Sequence, residues 1–449
     1  MDEEYDVIIL GTGLTECMLS GILAVEGKKV LHIDRNDFYG GECASVNLTQ
    51  MYQRFRNGEQ PPSELGRDRD YLIDLIPKFL MTGEGLIKVL VYTDVVRYLE
   101  FRAIATSMVY NGSKIYKVPS TPNEALTSSL VGMFQKVKAR SFFEFLQSWQ
   151  GTEAHHQGIS MDGDTMDKVY EHFGLNEDTQ EFVGHSMALH LDEGYKKRPA
   201  RETCRRVIMY ANSAARAMAD GRNSPYIYPQ YGLGDLPQAF ARLSAVYAGT
   251  FMLATPVDEV VRDEAGTFVG VKSGGKTARA RQVIGDPSYF TDSVRVTDRV
   301  IRAICILRAP IPKTDADSAQ IILPQRQTGR KHDIYVTCLS SQQKICPAGF
   351  YVASISTIAE TQGDPKEEIA AGIKLLGPIE QIFVSVSNVY EPVTDGTKDN
   401  VFISRSYDAT SHFETVYDDV KDLYRRITGK DLVLQKRPKM EEDAAAAAS

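Results

Sequence analysis

Residues 5 to 34 read YDVIILGTGLTECMLSGILAVEGKKVLHID, and this stretch decides the fold. An apolar run, a glycine turn, a helix-patterned segment and a second apolar run closing on Asp34 follow one another. That is a Rossmann-type strand, turn, helix and strand. Gly11 and Gly13 fill the first two places of G-x-G-x-x-G, where glycine permits the tight turn and lets backbone N–H groups approach a pyrophosphate. The third place holds Glu16. A side chain there crowds the helix against the strand, and its negative charge at the helix N-terminus takes the position where a cofactor phosphate is held. The fold signal survives and the cofactor signal does not.

Working outward, RNDFYGGECAS (35 to 45) sets Gly40 and Gly41 just beyond the acid that ends the second strand. In flavoproteins of the glutathione-reductase type, such an acid accepts hydrogen bonds from the cofactor ribose and a Gly-Gly follows. Glu42 stands where an amine-oxidase-like flavoprotein often has arginine. Near the end of the chain, SRSYDATSHFETVYDDVKDLYRRITG (404 to 429) is a turn into a helix, where flavoproteins place a Gly-Asp against the ribityl chain. Asp408 stands there without the glycine. The expectation is an α/β, FAD/NAD(P)-binding-like domain assembled from several segments, with no cofactor.

A chain of 449 residues exceeds what one hydrophobic core usually organises, so two domains are expected, or one large domain with an insertion. Residues 120 to 220 change character. Apolar residues recur at helical spacing from 129 to 149, and 162 to 175, 176 to 191 and 202 to 219 read as further helices. Strand signals return at 250 to 261, 267 to 274 and 281 to 286, then at 300 to 307, 333 to 339, 349 to 357 and 379 to 392. The domain expectation is therefore residues 1–119 with 224–449 as the α/β part and residues 120–223 as an all-helical insertion.

At 43% hydrophobic and 24% charged, with a net charge of −8, the composition is that of a soluble globular protein and argues against nucleic acid as a partner. Cysteines 17, 43, 204, 305, 338 and 346 form no C-x-x-C pair, and the eight histidines show no metal spacing. No metal site is expected. No apolar stretch approaches the ~20 residues of a membrane helix. MDEEYD runs straight into the first strand, so no leader peptide is expected, and the final residues contain no C-a-a-X box.

Four segments together resemble one family: DVIILGTGLTECMLSG (6 to 21), NDFYGGECAS (36 to 45), SPYIYPQYGLGDLPQAFARLSAVYAGTFML (224 to 253) and SRSYDATSHFE (404 to 414). They are similar to the Rab GDP dissociation inhibitors. The related Rab escort proteins share these blocks but carry a large insertion, for which this chain leaves little room. The resemblance implies a non-enzymatic carrier that binds GDP-loaded, geranylgeranylated Rab GTPases, slows nucleotide release and extracts them from membranes. It implies a cytoplasmic monomer in transient peripheral contact with membranes. Its Rab-binding platform would map to Tyr39, Asp235, Arg242, Tyr247, Thr250 and Met252, with glutamate usual in the family where this chain has Asp235. A mobile loop that touches membrane or receptor would include Tyr226.

Read physically, GDLPQAFARLSAVYAG starts a helix at Asp235, with Pro237 in the first turn and Gln238 three residues on, a capping-box arrangement. Asp235 then serves as an N-cap or as a partner contact. Arg242 falls on the same helix face, as a solvated charge or an interface anchor. Tyr39, Tyr247 and Met252 suit a core or a rim equally. The stripe at 130 to 149 is most simply core. Even so, Leu130, Met133, Phe134 and Val137 facing the small residues Ala211, Ala214 and Ala215 would leave a slot for a slender prenyl lipid. The rival reading is a flavin-dependent oxidoreductase of the amine-oxidase or desaturase kind.

Overall fold

The opening unit folds as strand Glu4–Leu10, helix Leu14–Val25 and strand Val30–Ile33. The computed structural model describes residues 4–83, 85–112, 114–118, 133–149 and 151–434. Strand Glu4–Leu10 pairs in parallel with Val30–Ile33 on one side and with Lys276–Gly285 on the other. Thr250–Met252 adds the edge beyond Val30–Ile33, and Val401–Ile403 joins the end of Lys276–Gly285. Antiparallel strands Phe268–Ser273 and Glu259–Arg262 complete a seven-stranded sheet. Both faces of this sheet are covered, which is why its central strands are continuous apolar runs rather than alternating ones.

Helix Leu14–Val25 is buried from Leu14 to Ala24 because it lies between the sheet and two other helices, Asp235–Val246 and Glu414–Thr428. Gly21 permits the first of those contacts. A Cβ at this position would stand 3.1 Å from a Leu243 methyl and 3.3 Å from the Phe240 carbonyl oxygen, so glycine lets the helices approach closely.

A second seven-stranded sheet runs in the order Gln381–Pro392, Val294–Leu307, Tyr351–Ile358, Ile334–Ser340, Ala319–Leu323, Thr106–Asn111, Lys114–Lys117. Its pairings are antiparallel except between Ala319–Leu323 and Thr106–Asn111. The later strands match the expectation for residues 300 to 392, while the two strands at 106 to 117 join them from the far side of the helical stretch.

Within that stretch lie helices Met133–Ser148, Met166–Phe173, Glu177–Glu181 and Ala200–Ala219, together with a short antiparallel hairpin of His155–His156 and Ile159–Ser160, so it is not all-helical as expected. Phe142, Phe145, Leu146 and Trp149 are buried, as the stripe predicts, against Tyr170 and Phe173. The helix expected over 176 to 191 is cut short. It widens into a π-helical turn at Phe182–Met187 and stops before Leu189, whose φ is 57°. That turn carries His185, which is buried between Asp333 of the second sheet (Nδ1 to Oδ2, 2.7 Å) and Glu193 (Nε2 to Oε1, 3.0 Å). Burial alone would lower the imidazole. The two carboxylates outweigh it and push His185 up to about 10. Beside it, Arg326 faces Glu177, Asp178 and Glu181, so a charged seam joins the helices to the sheet.

Candidate functional site

At the carboxyl ends of the parallel strands, where a dinucleotide would lie in this fold, there is a cleft of about 310 Å³ lined by Gly11, Thr12, Gly13, Glu16, Asp34 and Glu42 among others. Its donors and acceptors are spent on the chain itself. Asp34 accepts from the Thr12 amide at 2.7 Å, the Thr12 hydroxyl at 2.6 Å and the Asn36 amide at 2.8 Å, which leaves little for a ribose. The Arg35 guanidinium lies over the Tyr289 ring, 3.8 Å from its centroid. At the helix N-terminus the Leu14 amide donates to the Tyr407 hydroxyl at 3.2 Å.

Glu16 fills the rest of the cradle. Its Oε1 accepts from the Ser404 hydroxyl at 2.6 Å, and its other oxygen sits so close to Gly13 that a Cβ there would collide. Burial and the Asp286 carboxylate push the Glu16 carboxyl up to about 8. Burial thus favours the neutral carboxyl over the negative charge that the sequence suggested, and the side chain excludes phosphate by occupying space beside Gly13. Glu42 is likewise raised by burial. Asp408 points elsewhere, to the fully buried Lys78 at 2.6 Å. Burial alone would raise Asp408, but the Lys78 ammonium outweighs it and holds the carboxyl well below its usual range. These residues do not fit a flavin dinucleotide.

The second candidate region surrounds helix Asp235–Val246. Its N-cap is Gly234, so Asp235 is the first helical residue and not the cap; Gln238 reaches back to the Gly234 carbonyl at 3.2 Å in place of a capping box. Asp235 is half-buried, and burial raises its carboxyl. Arg242 is exposed over the Tyr98 ring, and half-buried Tyr247 ends the helix against the core. The chain then enters the edge strand, where Thr250 is exposed and Met252 half-buried. Alternation puts Phe251 on the opposite face, stacked on His32 at 4.6 Å and tilted against Tyr39 at 5.9 Å. Phe38 beside it is 48% exposed. Thr250 and Met252 thus lie on the edge strand of the first sheet, where Met252 packs on one sheet face while Tyr39, Tyr247 and Phe251 pack on the other.

Phe251 was within reach of sequence reasoning through period-two alternation with Thr250 and Met252. Tyr98 was not, because nothing local marks a residue that fold topology alone brings to Arg242.

Tyr226 does not lie on an exposed loop. It is 1% exposed on the central strand Tyr226–Pro229, between Leu80–Met81 and Phe101–Ala103, with its ring against Phe79 and Tyr210. An apolar strand flanked on both sides keeps it in the core. Of the lipid candidates, Leu130 lies outside the described residues, and Met133 and Phe134 open helix Met133–Ser148. Val137 is 69% exposed. Ala214 is fully buried, Ala211 half-buried and Ala215 exposed, so the three alanines grade from core to surface along one helix.

A family model for GDP dissociation inhibitors matches residues 1–439. The chain belongs to the GDP dissociation inhibitor family. It is 57% identical over 444 residues to a probable secretory pathway GDP dissociation inhibitor 1 of Schizosaccharomyces pombe, covering 98% of this chain and all of that one. The solved structure of a Rab GDI from Plasmodium falciparum superposes with a TM-score of 0.91 at 41% identity, covering 96% of this chain and 100% of that chain. An oxidoreductase from Methanosarcina mazei, only 11% identical, still reaches a TM-score of 0.58 over 94% of this chain and all of its own. This family member therefore shares the FAD/NAD(P)-binding-like fold with oxidoreductases, with Glu16 standing in the phosphate turn of its cleft.

Proposed function

We propose that this protein is a Rab GDP dissociation inhibitor: it binds GDP-loaded, geranylgeranylated Rab GTPases, slows GDP release, extracts them from membranes and returns them through the cytosol. The observation that carries this reading is membership of the inhibitor family over residues 1–439, joined to exposed Arg242 and half-buried Tyr98 and Tyr247 at helix Asp235–Val246. Tyr39, Asp235, Arg242, Tyr247, Thr250 and Met252 form the Rab-binding platform. Arg and aromatic side chains are common interface anchors, which supports the assignment.

The helical stretch, residues 120–223, shelters the prenyl chain, and residues 1–119 with 224–449 carry the platform. Support comes from Val137, an apolar side chain left exposed on helix Met133–Ser148, which buries Phe142, Phe145 and Leu146, and from the small residues Ala211 and Ala215 on Ala200–Ala219. The protein acts as a cytosolic monomer with transient peripheral membrane contact. Among the described residues no helix is long and apolar enough to cross a membrane. The rival oxidoreductase reading is disfavoured by Glu16, Asp34 and Tyr407, which consume the groups a dinucleotide needs.

Titration of the purified protein against a Rab GTPase in four forms, prenylated or not and loaded with GDP or a GTP analogue, tests the proposal. The prenylated GDP form should bind at least about tenfold tighter than either the unprenylated or the GTP-analogue form, a difference of about 1.4 kcal/mol. Equal affinity for the two nucleotide states would overturn it.

A further inference from the structure

Arg242 makes no hydrogen bond or ion pair within the chain among the described residues; what it touches is a ring. Its guanidinium lies over Tyr98, 4.3 Å from the ring centroid. Tyr98 closes the short turn Val95–Tyr98, which packs against helix Asp235–Val246. Arg97 approaches the same ring at 4.8 Å and donates from Nη2 to the Tyr98 hydroxyl at 2.7 Å. The positive charge of Arg97 is partly met by exposed Asp94 at 3.4 Å. That of Arg242 is not.

A guanidinium stacked on an aromatic face loses rotamer freedom while its in-plane N–H donors stay available. The ring therefore holds Arg242 in one orientation with its donor edge unspent. Planar, two-pronged donation of this kind matches a carboxylate. Arg242 and Arg97 thus converge on the half-buried ring of Tyr98 in a chain of net charge −8. We propose that Tyr98 is the positioning residue that presents Arg242 to a carboxylate on the partner GTPase, with Arg97 supplying a second charge at the same ring. This inference rests on the reading that the chain binds a GDP-loaded Rab GTPase.

Tyr98 is half-buried against the core, so a melting curve for each variant separates a loss of fold from a loss of binding. The test compares wild type, Tyr98→Phe, Tyr98→Leu, Arg242→Ala and Tyr98→Leu with Arg242→Ala, titrated against a GDP-loaded, unprenylated Rab GTPase at low and moderate salt, with melting curves for each. Tyr98→Leu should weaken binding about threefold to tenfold, and Tyr98→Phe, which keeps the ring, should stay within about twofold of wild type. In the Arg242→Ala background, Tyr98→Leu should add nothing. Salt should weaken wild type more than Arg242→Ala. Wild-type affinity in a folded Tyr98→Leu variant, or an undiminished Tyr98→Leu effect when Arg242 is absent, would overturn the positioning role alone. Failure of the wild-type chain to bind any Rab GTPase tested would instead overturn the reading beneath it.

Discussion

Glu16 replaces a glycine of the phosphate turn with a buried carboxyl group. Buried beside Ser404 and facing Asp286, it is pushed up from 4.5 to about 8. The folded chain thus holds a proton that the unfolded chain gives up. Stability from this group is fully present below the ordinary value and is lost as pH rises through the raised one. Glu16→Gln keeps the shape and the hydrogen bond but has no proton to lose. The variant should melt with wild type at pH 5 and at least about 1 °C above it at pH 8, as followed by calorimetry. Identical pH profiles would show that Glu16 stays charged. At this scale the sequence revealed that the third glycine was missing; it did not reveal the raised carboxyl, which depends on burial and on Asp286 just past strand Lys276–Gly285. Arg242 and Tyr39 were nameable from family motifs, whereas Tyr98 was not, since no pattern within its own turn points to the platform helix.

Among the elements, periodicity was legible where one neighbour covers each face. Phe142, Phe145, Leu146 and Trp149 recur at helical spacing and are buried. It misled where the neighbour was unknown. Tyr226 sits in SPYIYP, which resembles a family loop, yet strand pairing on both sides buries it. Asp235 has the sequence of a cap but lies one residue inside the helix, because Gly234 already begins the turn. The same considerations select the lipid test. Ala214 is fully buried, so a bulky residue there would disturb packing and say nothing about lipid. Val137, at 69% exposure on helix Met133–Ser148, can be changed without loss of core. Val137→Asp should keep the melting temperature within about 1 °C, leave binding to unprenylated Rab GTPase unchanged and reduce extraction of the prenylated form from liposomes at least about threefold, because it would set a charge against the prenyl chain at the proposed lipid site. Full extraction by this variant would move the lipid site elsewhere.

Across the whole molecule, the parallel half of the first sheet follows from its strand, turn and helix grammar, and helix Glu414–Thr428 packs against helix Leu14–Val25 beside it. The second sheet was only half legible. Thr106–Asn111 pairs in parallel with Ala319–Leu323, and short-range pattern cannot report a pairing across so long a separation. The helices between them are tied back through His185, Asp333 and Arg326, so a surface for the GTPase and a slot for its lipid would sit on one connected body. Two weak sites held this way act together through effective concentration. Release of a fluorescent GDP analogue from a geranylgeranylated Rab GTPase, timed with and without saturating protein, measures the result of that arrangement directly. Release should slow by at least about tenfold, the factor that roughly 1.4 kcal/mol of preference for the GDP-bound state supplies. A release rate unchanged at saturation would contradict the proposed function.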